Sequence, residues 1–254
     1  MNTASLIVPI QITSKEFEIY LINLKYALEG AFKQNIACEK ILVDYMSGPS
    51  YIQKLEKFAG QFNFKYIRED REDTLWSRGR ALNIGIKHST GDLILFFDAD
   101  CVLPENYVRE HVTNAEENIF TYSQFLPAKK ELKKSGNYKE VIKQKELIKP
   151  TFPTCYSHKG LRRTWVDAHG AFDELYRGWG AEDDALWSKL TKAAQTPRKV
   201  DVHPIHLWHP TWQELMNQAG RQQEQEQSLI ENRTRYFSSI GKKVKVKTTR
   251  KIVW

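Results

Sequence analysis

The chain has 254 residues, of which 41% are hydrophobic and 27% charged, and its formal net charge at pH 7 is +7. This composition is that of a soluble globular protein, and the length suits one large domain. It excludes a disordered chain, and no apolar run is long enough to predict a membrane-spanning helix. The three cysteines are far apart, which predicts neither a disulfide framework nor a zinc site. We therefore expect a cytoplasmic protein.

Strands and helices are predicted to alternate from the N-terminus to residue 125. Hydrophobic patterning predicts strands at Ser5–Ile10, Lys40–Tyr45, Phe64–Arg68, Asp92–Phe97 and Phe120–Phe125, and helices at Phe17–Phe32, Tyr51–Phe62, Ser77–His88 and Pro104–Asn118. This alternation favours an α/β fold with a mostly parallel central sheet flanked by helices. Ligands of such sheets bind beyond the carboxyl ends of the strands, which is where Asp44 and Asp98 are expected.

The pattern changes beyond residue 126. A lysine-rich segment, Lys129–Lys149, is followed by a short strand near Pro153–His158, a helix that begins at Glu182, an extended stretch at Val200–Trp208 and a long helix at Trp212–Tyr236. Basic residues are concentrated in Lys129–Lys149 and in the tail 241–254. Such patches are either solvated surface or binding sites for an anionic partner, such as a membrane surface or DNA.

Two carboxylates flank one residue in Asp98-Ala99-Asp100, directly after an apolar strand. Mg²⁺ and Mn²⁺ bind carboxylate oxygens and readily add phosphate oxygens. The pair is therefore either a metal-assisted nucleotide-sugar site or a solvated turn.

The segment Gly178–Asp184, with the sequence GWGAEDD, combines glycines, a flat indole and three acids at a helix start. Trp179 could stack on a sugar ring, and one of the carboxylates could act as a general base. The alternative is that the acids only cap the helix.

His206 and His209 could share a metal ion if the chain turns there, but in a strand they would lie on opposite faces.

The stretch Trp76–Asp100 resembles the nucleotide-binding core of GT-A glycosyltransferases, and Gly178–Asp184 resembles the Gly-Trp-Gly-Gly-Glu-Asp-Asp segment of the β-1,4-galactosyltransferases. The chain is identified as a GT-A glycosyltransferase of the family 2 type with a β-1,4-galactosyltransferase-like C-terminal segment. The resemblance implies a Rossmann-like nucleotide-diphospho-sugar transferase fold. It also implies a single catalytic domain, with a nucleotide-sugar-binding half at 1–125, an acceptor and catalytic half at 126–210, a C-terminal helix at 211–240 and the tail 241–254.

The resemblance further implies a role for each candidate residue. The donor would be bound by Pro9, Asp44, Arg78, Asn83, Asp98, Ala99 and Asp100. A Mn²⁺ or Mg²⁺ ion would be held by Asp100 and Asp98 with His206 or His209. Asp183 would be the catalytic base and Glu182 would hold the acceptor hydroxyl, while Trp179 and Gly180 would line the sugar pocket.

The expected activity is transfer of a sugar from a nucleotide sugar, with a UDP-sugar favoured, to an acceptor hydroxyl with inversion at the anomeric carbon. The expected acceptor is a polysaccharide or a lipid-linked glycan, and the basic segments would place the enzyme at the inner face of a membrane. Two alternatives stay open. One is glycosylation of a modified base in DNA, and the other is a non-catalytic module that binds nucleotides or carbohydrates.

Overall fold

A computed structural model describes residues 3–70, 75–127 and 158–241 of the chain. The strands are β1 (Ala4–Ile10), β2 (Glu39–Tyr45), β3 (Lys65–Glu69), β4 (Leu93–Phe96), β5 (Cys101–Val102), β6 (Ile119–Tyr122), β7 (Leu126–Pro127), β8 (Lys159–Arg162), β9 (Thr196–Lys199) and β10 (Ile205–His206). The helices are α1 (Glu18–Phe32), α2 (Pro49–Gln61), α3 (Arg78–Lys87), α4 (Tyr107–Asn114), α5 (Arg163–His169), α6 (Glu182–Lys192), α7 (Trp212–Gln218) and α8 (Gln222–Ser239). A short 3₁₀ helix, Lys15–Phe17, precedes α1.

The centre of the fold is a seven-stranded sheet with the strand order β3-β2-β1-β4-β8-β6-β9. Strands β1 to β4 pair in parallel, and so do β6 and β9, whereas β8 runs antiparallel to both β4 and β6. The α/β fold with a mostly parallel central sheet flanked by helices is therefore confirmed.

Both faces of the sheet are covered, because β1 is apolar on both sides. Leu6 and Val8 pack with the side chains of α1 and α2, whereas Ile7 packs on the opposite face with those of α3 and α6. All three side chains are fully buried, and each burial of this kind contributes about 1.5–3 kcal/mol to folding. Helices on both faces leave the strand ends as the open part of the sheet.

Strand β1 loses its two partners at different residues near Pro9. Pairing with β4 ends at Ile7, but β1 continues beside β2 as far as Ile10. The carbonyl of Ile7 faces β4, where it accepts a hydrogen bond from the Phe97 amide. Pro9 has the same orientation as Ile7, so its missing N–H faces the side on which pairing has already ended.

A second, smaller sheet has the order β5-β10-β7 and lies next to the carboxyl end of β4. In it Cys101 pairs with His206 across the antiparallel β5–β10 ladder. This pairing places β10, which comes late in the sequence, beside the loop that follows β4. Residues from both halves of the sequence therefore meet at this point.

Several expected elements differ from those observed. The helix predicted over Trp212–Tyr236 is two helices, because Gly220 between them has a φ of +69°, which an α-helix cannot contain. Within Val200–Trp208 a strand forms at Ile205–His206, and β9 and α5 were not predicted. Lys129–Lys149, the residues after Gly241 and most of Pro153–His158 lie outside the described residues.

None of the helices in the described part of the chain is both long enough and apolar enough to cross a membrane.

Candidate active site

The loop after β4 places two carboxylates at the edge where the parallel strands end. Asp98 and Asp100 follow Phe97, whose amide still bonds to β1, so both lie just beyond the carboxyl end of β4. The Asp100 side chain is 11% exposed and the Asp98 side chain 24%, so the loop holds one buried and one partly buried charge. Buried carboxylates need partners, and the two residues have different ones.

Arg78 joins Asp98 to the later half of the sequence. It is the first residue of α3, where Ser77 caps the helix by accepting a hydrogen bond from the Arg80 amide. The Arg78 Nε donates to Asp98 Oδ1 at 2.8 Å, and its Nη1 donates to both Asp183 oxygens at 3.1 and 3.2 Å. One buried guanidinium thus connects the loop after β4 with the first turn of α6.

The acids of the GWGAEDD segment occupy that first turn. Gly178, Gly180 and Ala181 have positive φ values of +72°, +98° and +71°, so the chain coils tightly before it enters the helix. The Gly178 amide donates to the Trp76 carbonyl at 2.6 Å, which fixes the loop beside the start of α3. This local geometry directs Asp183 towards Arg78.

Lys159 is the second cation on Asp183, with its Nζ 2.9 Å from Oδ1 and its side chain fully buried. Burial raises the pKa of Asp183, but Arg78 and Lys159 outweigh that effect and hold it below its ordinary value. Glu182, the adjacent residue, also interacts with Arg78 and Lys159, but there the opposing effects are larger. Its burial and the neighbouring Asp183 charge raise the pKa of Glu182 to about 7.

Asp100 faces the two histidines that the sequence singled out. The Nε2 atoms of His206 and His209 lie 3.7 and 3.1 Å from its Oδ2. Because β10 ends at His206, the alternation of faces along a strand does not extend to His209, and both rings reach the same carboxylate. Burial lowers the pKa of His206, whereas contact with Asp100 outweighs burial and raises that of His209.

The remaining predicted donor residues are distributed around this edge. Asp44 is fully buried, and its carboxylate accepts hydrogen bonds from the Tyr66 hydroxyl and Arg68 Nη1, both at 2.6 Å. Asn83 uses its amide on the backbone of Phe172, donating at 3.0 Å and accepting at 3.1 Å. Ala99 is buried between the two aspartates, and Pro9 is buried within β1. Trp179 and Gly180 are half-buried in the loop before α6.

Sequence reasoning missed His158 and Lys159 at this edge. Both reach it because β8 runs antiparallel to β4, so that the start of β8 lies beside the end of β4. The apolar run of β4 gives no sign of the direction of its neighbour. The signal available in the sequence was a histidine and a lysine side by side at the start of a short strand.

Two solved structures have a fold similar to that of this chain. The S. aureus TarS 1-349 structure has a TM-score of 0.60 and 18% identity, over 97% of this chain and 76% of that chain. The mannosyltransferase PcManGT from Pyrobaculum calidifontis has a TM-score of 0.62 and 15% identity, over 97% of this chain and 66% of that chain. At these identities the likeness shows a shared fold.

Sequence comparison carries the assignment further. A protein of Caenorhabditis elegans described as "Probable N-acetylgalactosaminyltransferase 7" is 38% identical over 72 residues, which are 27% of this chain and 11% of that protein. This chain therefore matches only about a tenth of the length of that relative. The model of glycosyl transferase family 2 matches residues 21–170, more than half of the sequence. The expectation from the motifs is confirmed: the chain belongs to glycosyl transferase family 2.

Proposed function

We propose that the chain is a metal-dependent glycosyltransferase that moves a sugar from a UDP-sugar to a hydroxyl group of a polysaccharide or lipid-linked glycan. The observation that carries the proposal is the convergence of Asp98, Asp100 and Asp183 on one strand edge with Arg78 between them. Structures of similar fold support a nucleotide-sugar donor, since they include TarS with UDP-GlcNAc, GalNAc-T7 with UDP, GalNAc and Mn²⁺, and PcManGT with GDP-Man and Mn²⁺.

The donor atoms around Asp100 suit a divalent cation. The His209 Nδ1 is 2.6 Å from the Pro210 carbonyl oxygen, which can only accept a hydrogen bond, so Nδ1 carries a proton and donates it there. The other ring nitrogen, Nε2, faces Asp100 and can serve as the metal ligand. A backbone carbonyl that orients an imidazole in this way is usual for metal-ligating histidines. Asp100, His206 and His209 would hold the ion, which is Mn²⁺ or Mg²⁺, with Asp98 close by. When bound, the ion neutralises the diphosphate leaving group.

The reaction then depends on the protonation state of Asp183. A carboxylate that accepts the proton of an acceptor hydroxyl must be ionised, and its two cations keep Asp183 ionised at neutral pH. The activated oxygen attacks the anomeric carbon from the face opposite the diphosphate, and this single displacement inverts the anomeric configuration. Glu182 titrates near pH 7 and would hold the acceptor hydroxyl by a hydrogen bond.

Arg78 has a second role in this scheme. Its guanidinium is shared between Asp98 and Asp183 in the free protein, and a donor diphosphate would compete for it. Trp179 and Gly180 would complete the sugar pocket, while Pro9, Asp44, Asn83 and Ala99 would complete the donor site. The halves 1–125 and 126–210 would thereby correspond to donor and acceptor binding.

Asp183→Asn, compared with Asp184→Asn, tests the assignment of the base. Asp184 is the next residue of the same helix turn and is exposed, so its variant controls for the loss of one acid there. We expect Asp183→Asn to abolish transfer but to keep the donor-induced rise in melting temperature, and Asp184→Asn to keep both. Normal turnover in Asp183→Asn would contradict the base assignment. The anomeric configuration of the product, read by NMR, tests inversion.

A thermal-shift panel of nucleotides and nucleotide sugars, each with Mn²⁺ and with EDTA, tests the donor and the metal together. A ligand that binds only the folded protein raises its melting temperature. We expect a shift with UDP and UDP-sugars that requires Mn²⁺ and is lost in Asp100→Ala. An unchanged Mn²⁺ titration in that variant would refute the metal assignment.

A further inference from the structure

We propose that Asp98, Cys101 and His158 form a second metal site, which takes a borderline transition-metal ion such as Zn²⁺. It is distinct from the cluster of Asp100, His206 and His209, to which we assign the Mn²⁺ or Mg²⁺ ion that assists the donor. One ligand atom from each of Asp98, Cys101 and His158 lies within 4.8 Å of the other two.

His158 provides the first reason. Its side chain is fully buried, and neither ring nitrogen has a hydrogen-bond partner among the residues that the structure describes. The rings of Tyr107 and Phe125 have their centroids 6.4 and 6.3 Å from that of His158. An unsatisfied buried polar group costs about 1–3 kcal/mol, and a bound ion would remove that penalty.

The spacing of the atoms provides the second reason. The His158 Nε2 lies 3.6 Å from Asp98 Oδ2, which is too far for a hydrogen bond. Zinc–ligand bonds of about 2.0–2.2 Å at tetrahedral angles separate neighbouring ligands by about 3.4 Å. The two atoms are thus placed as ligands of one ion would be. The other Asp98 oxygen, Oδ1, remains bonded to Arg78.

The chemistry of the three groups provides the third reason. A thiolate, an imidazole and a carboxylate are the ligand types that zinc takes, and three protein ligands leave one position open. Mg²⁺ prefers oxygen ligands and does not favour such a set. Cys101 is fully buried, so its sulfur meets the ion without competition from bulk water.

The sequence spacing could not predict this site. Cys101 and Asp98 belong to one loop, but His158 is 57 residues beyond Cys101 in the numbering and arrives through the antiparallel β8. Cys101 also lies within 4.8 Å of Asp100 and His206, because Cys101 pairs with His206 across β5 and β10. An experiment must therefore decide which histidine shares an ion with the thiol.

Cobalt(II) reports the ligands directly, because a thiolate bound to it absorbs strongly in the near ultraviolet. Cys38 and Cys155 are first changed to Ser, so that Cys101 is the one thiol left in the chain. This protein is stripped with a chelator and titrated with Co²⁺ in the absence of nucleotide. We expect a thiolate band that saturates by two equivalents, because the Asp100, His206 and His209 cluster also takes Co²⁺, and that disappears when Zn²⁺ is added.

Two matched variants then separate the sites. In the same background, His158→Asn is expected to weaken formation of the band by at least about tenfold, the lower range seen when a metal-site partner is lost. His206→Asn is expected to leave the band in place. A band lost in His206→Asn but kept in His158→Asn would overturn the proposal. So would the absence of any thiolate band in the folded parent, a result that does not depend on whether a variant folds.

Discussion

Gly178→Ala is expected to destabilise the protein more than a glycine substitution of equal backbone strain elsewhere. Gly178 has a φ of +72°, and a Cβ added there would lie 2.5 Å from the Ser228 Cβ on α8. The left-handed backbone costs a non-glycine residue about 1–2 kcal/mol. Overpacking against Ser228 adds about 1–3 kcal/mol, so the free energy of unfolding should fall by about 2–5 kcal/mol in total.

Gly220→Ala is the matched control. Gly220 has a φ of +69°, close to that of Gly178, but no atom of the described residues lies within 4 Å of an added Cβ. Urea unfolding of the two variants should therefore differ by the packing contribution alone, about 1–3 kcal/mol. Gly178→Ala should also reduce transfer, because the loop sets the position of Asp183. Equal losses of stability in the two variants would refute the reasoning from the α8 contact.

Two further predictions concern the buried charges. Lys159→Met should move the acidic limb of the pH–rate profile to higher pH, because it removes one of the two cations that hold the pKa of Asp183 low. An unchanged limb in the kcat/KM profile of a folded variant would show that Lys159 does not act through that carboxylate. Glu182→Gln should change the pH dependence of stability. The pKa of about 7 for Glu182 is raised, so the folded state binds more protons than the unfolded one and wild-type stability falls as pH rises towards 7. The free energy of unfolding of the variant should not fall in this way, and at alkaline pH it should exceed that of the wild type by up to about 3 kcal/mol. Urea unfolding of both proteins at about pH 5 and about pH 8 measures the difference. Parallel stability curves for the two proteins would contradict it.

The parallel half of the fold and its acidic loop could be predicted because their signals are local. The strand before Asp98 is a continuous apolar run, and such a run followed by acids marks the carboxyl end of a buried strand. Arg78, Asp98 and Asp183 were all named from short motifs. Their meeting at one guanidinium was not predicted, because it depends on contacts between residues 105 positions apart.

The second half was harder to predict because its elements are short or polar. Strand β9, Thr196–Lys199, has no apolar alternation and lies at the edge of the sheet, so periodicity does not reveal it. Whether His206 and His209 face the same carboxylate depends on where the two-residue strand β10 ends, and hydrophobic patterning cannot locate that end. Sequence reasoning offered both outcomes there, and tertiary pairing with β5 decided between them.

The strand order has a consequence for the way the chain assembles during synthesis. Strands β1 to β4 find all their mutual partners once the ribosome has released residue 96, so this part can form early. Strand β6 ends at Tyr122, but both of its partners, β8 and β9, begin only at Lys159 and Thr196. Until then the outer edge of β4 and both edges of β6 are unpaired, and unpaired edges favour aggregation. Nascent chains that stall after β6 has been synthesised, but before β8 and β9, should be the ones that most need a chaperone.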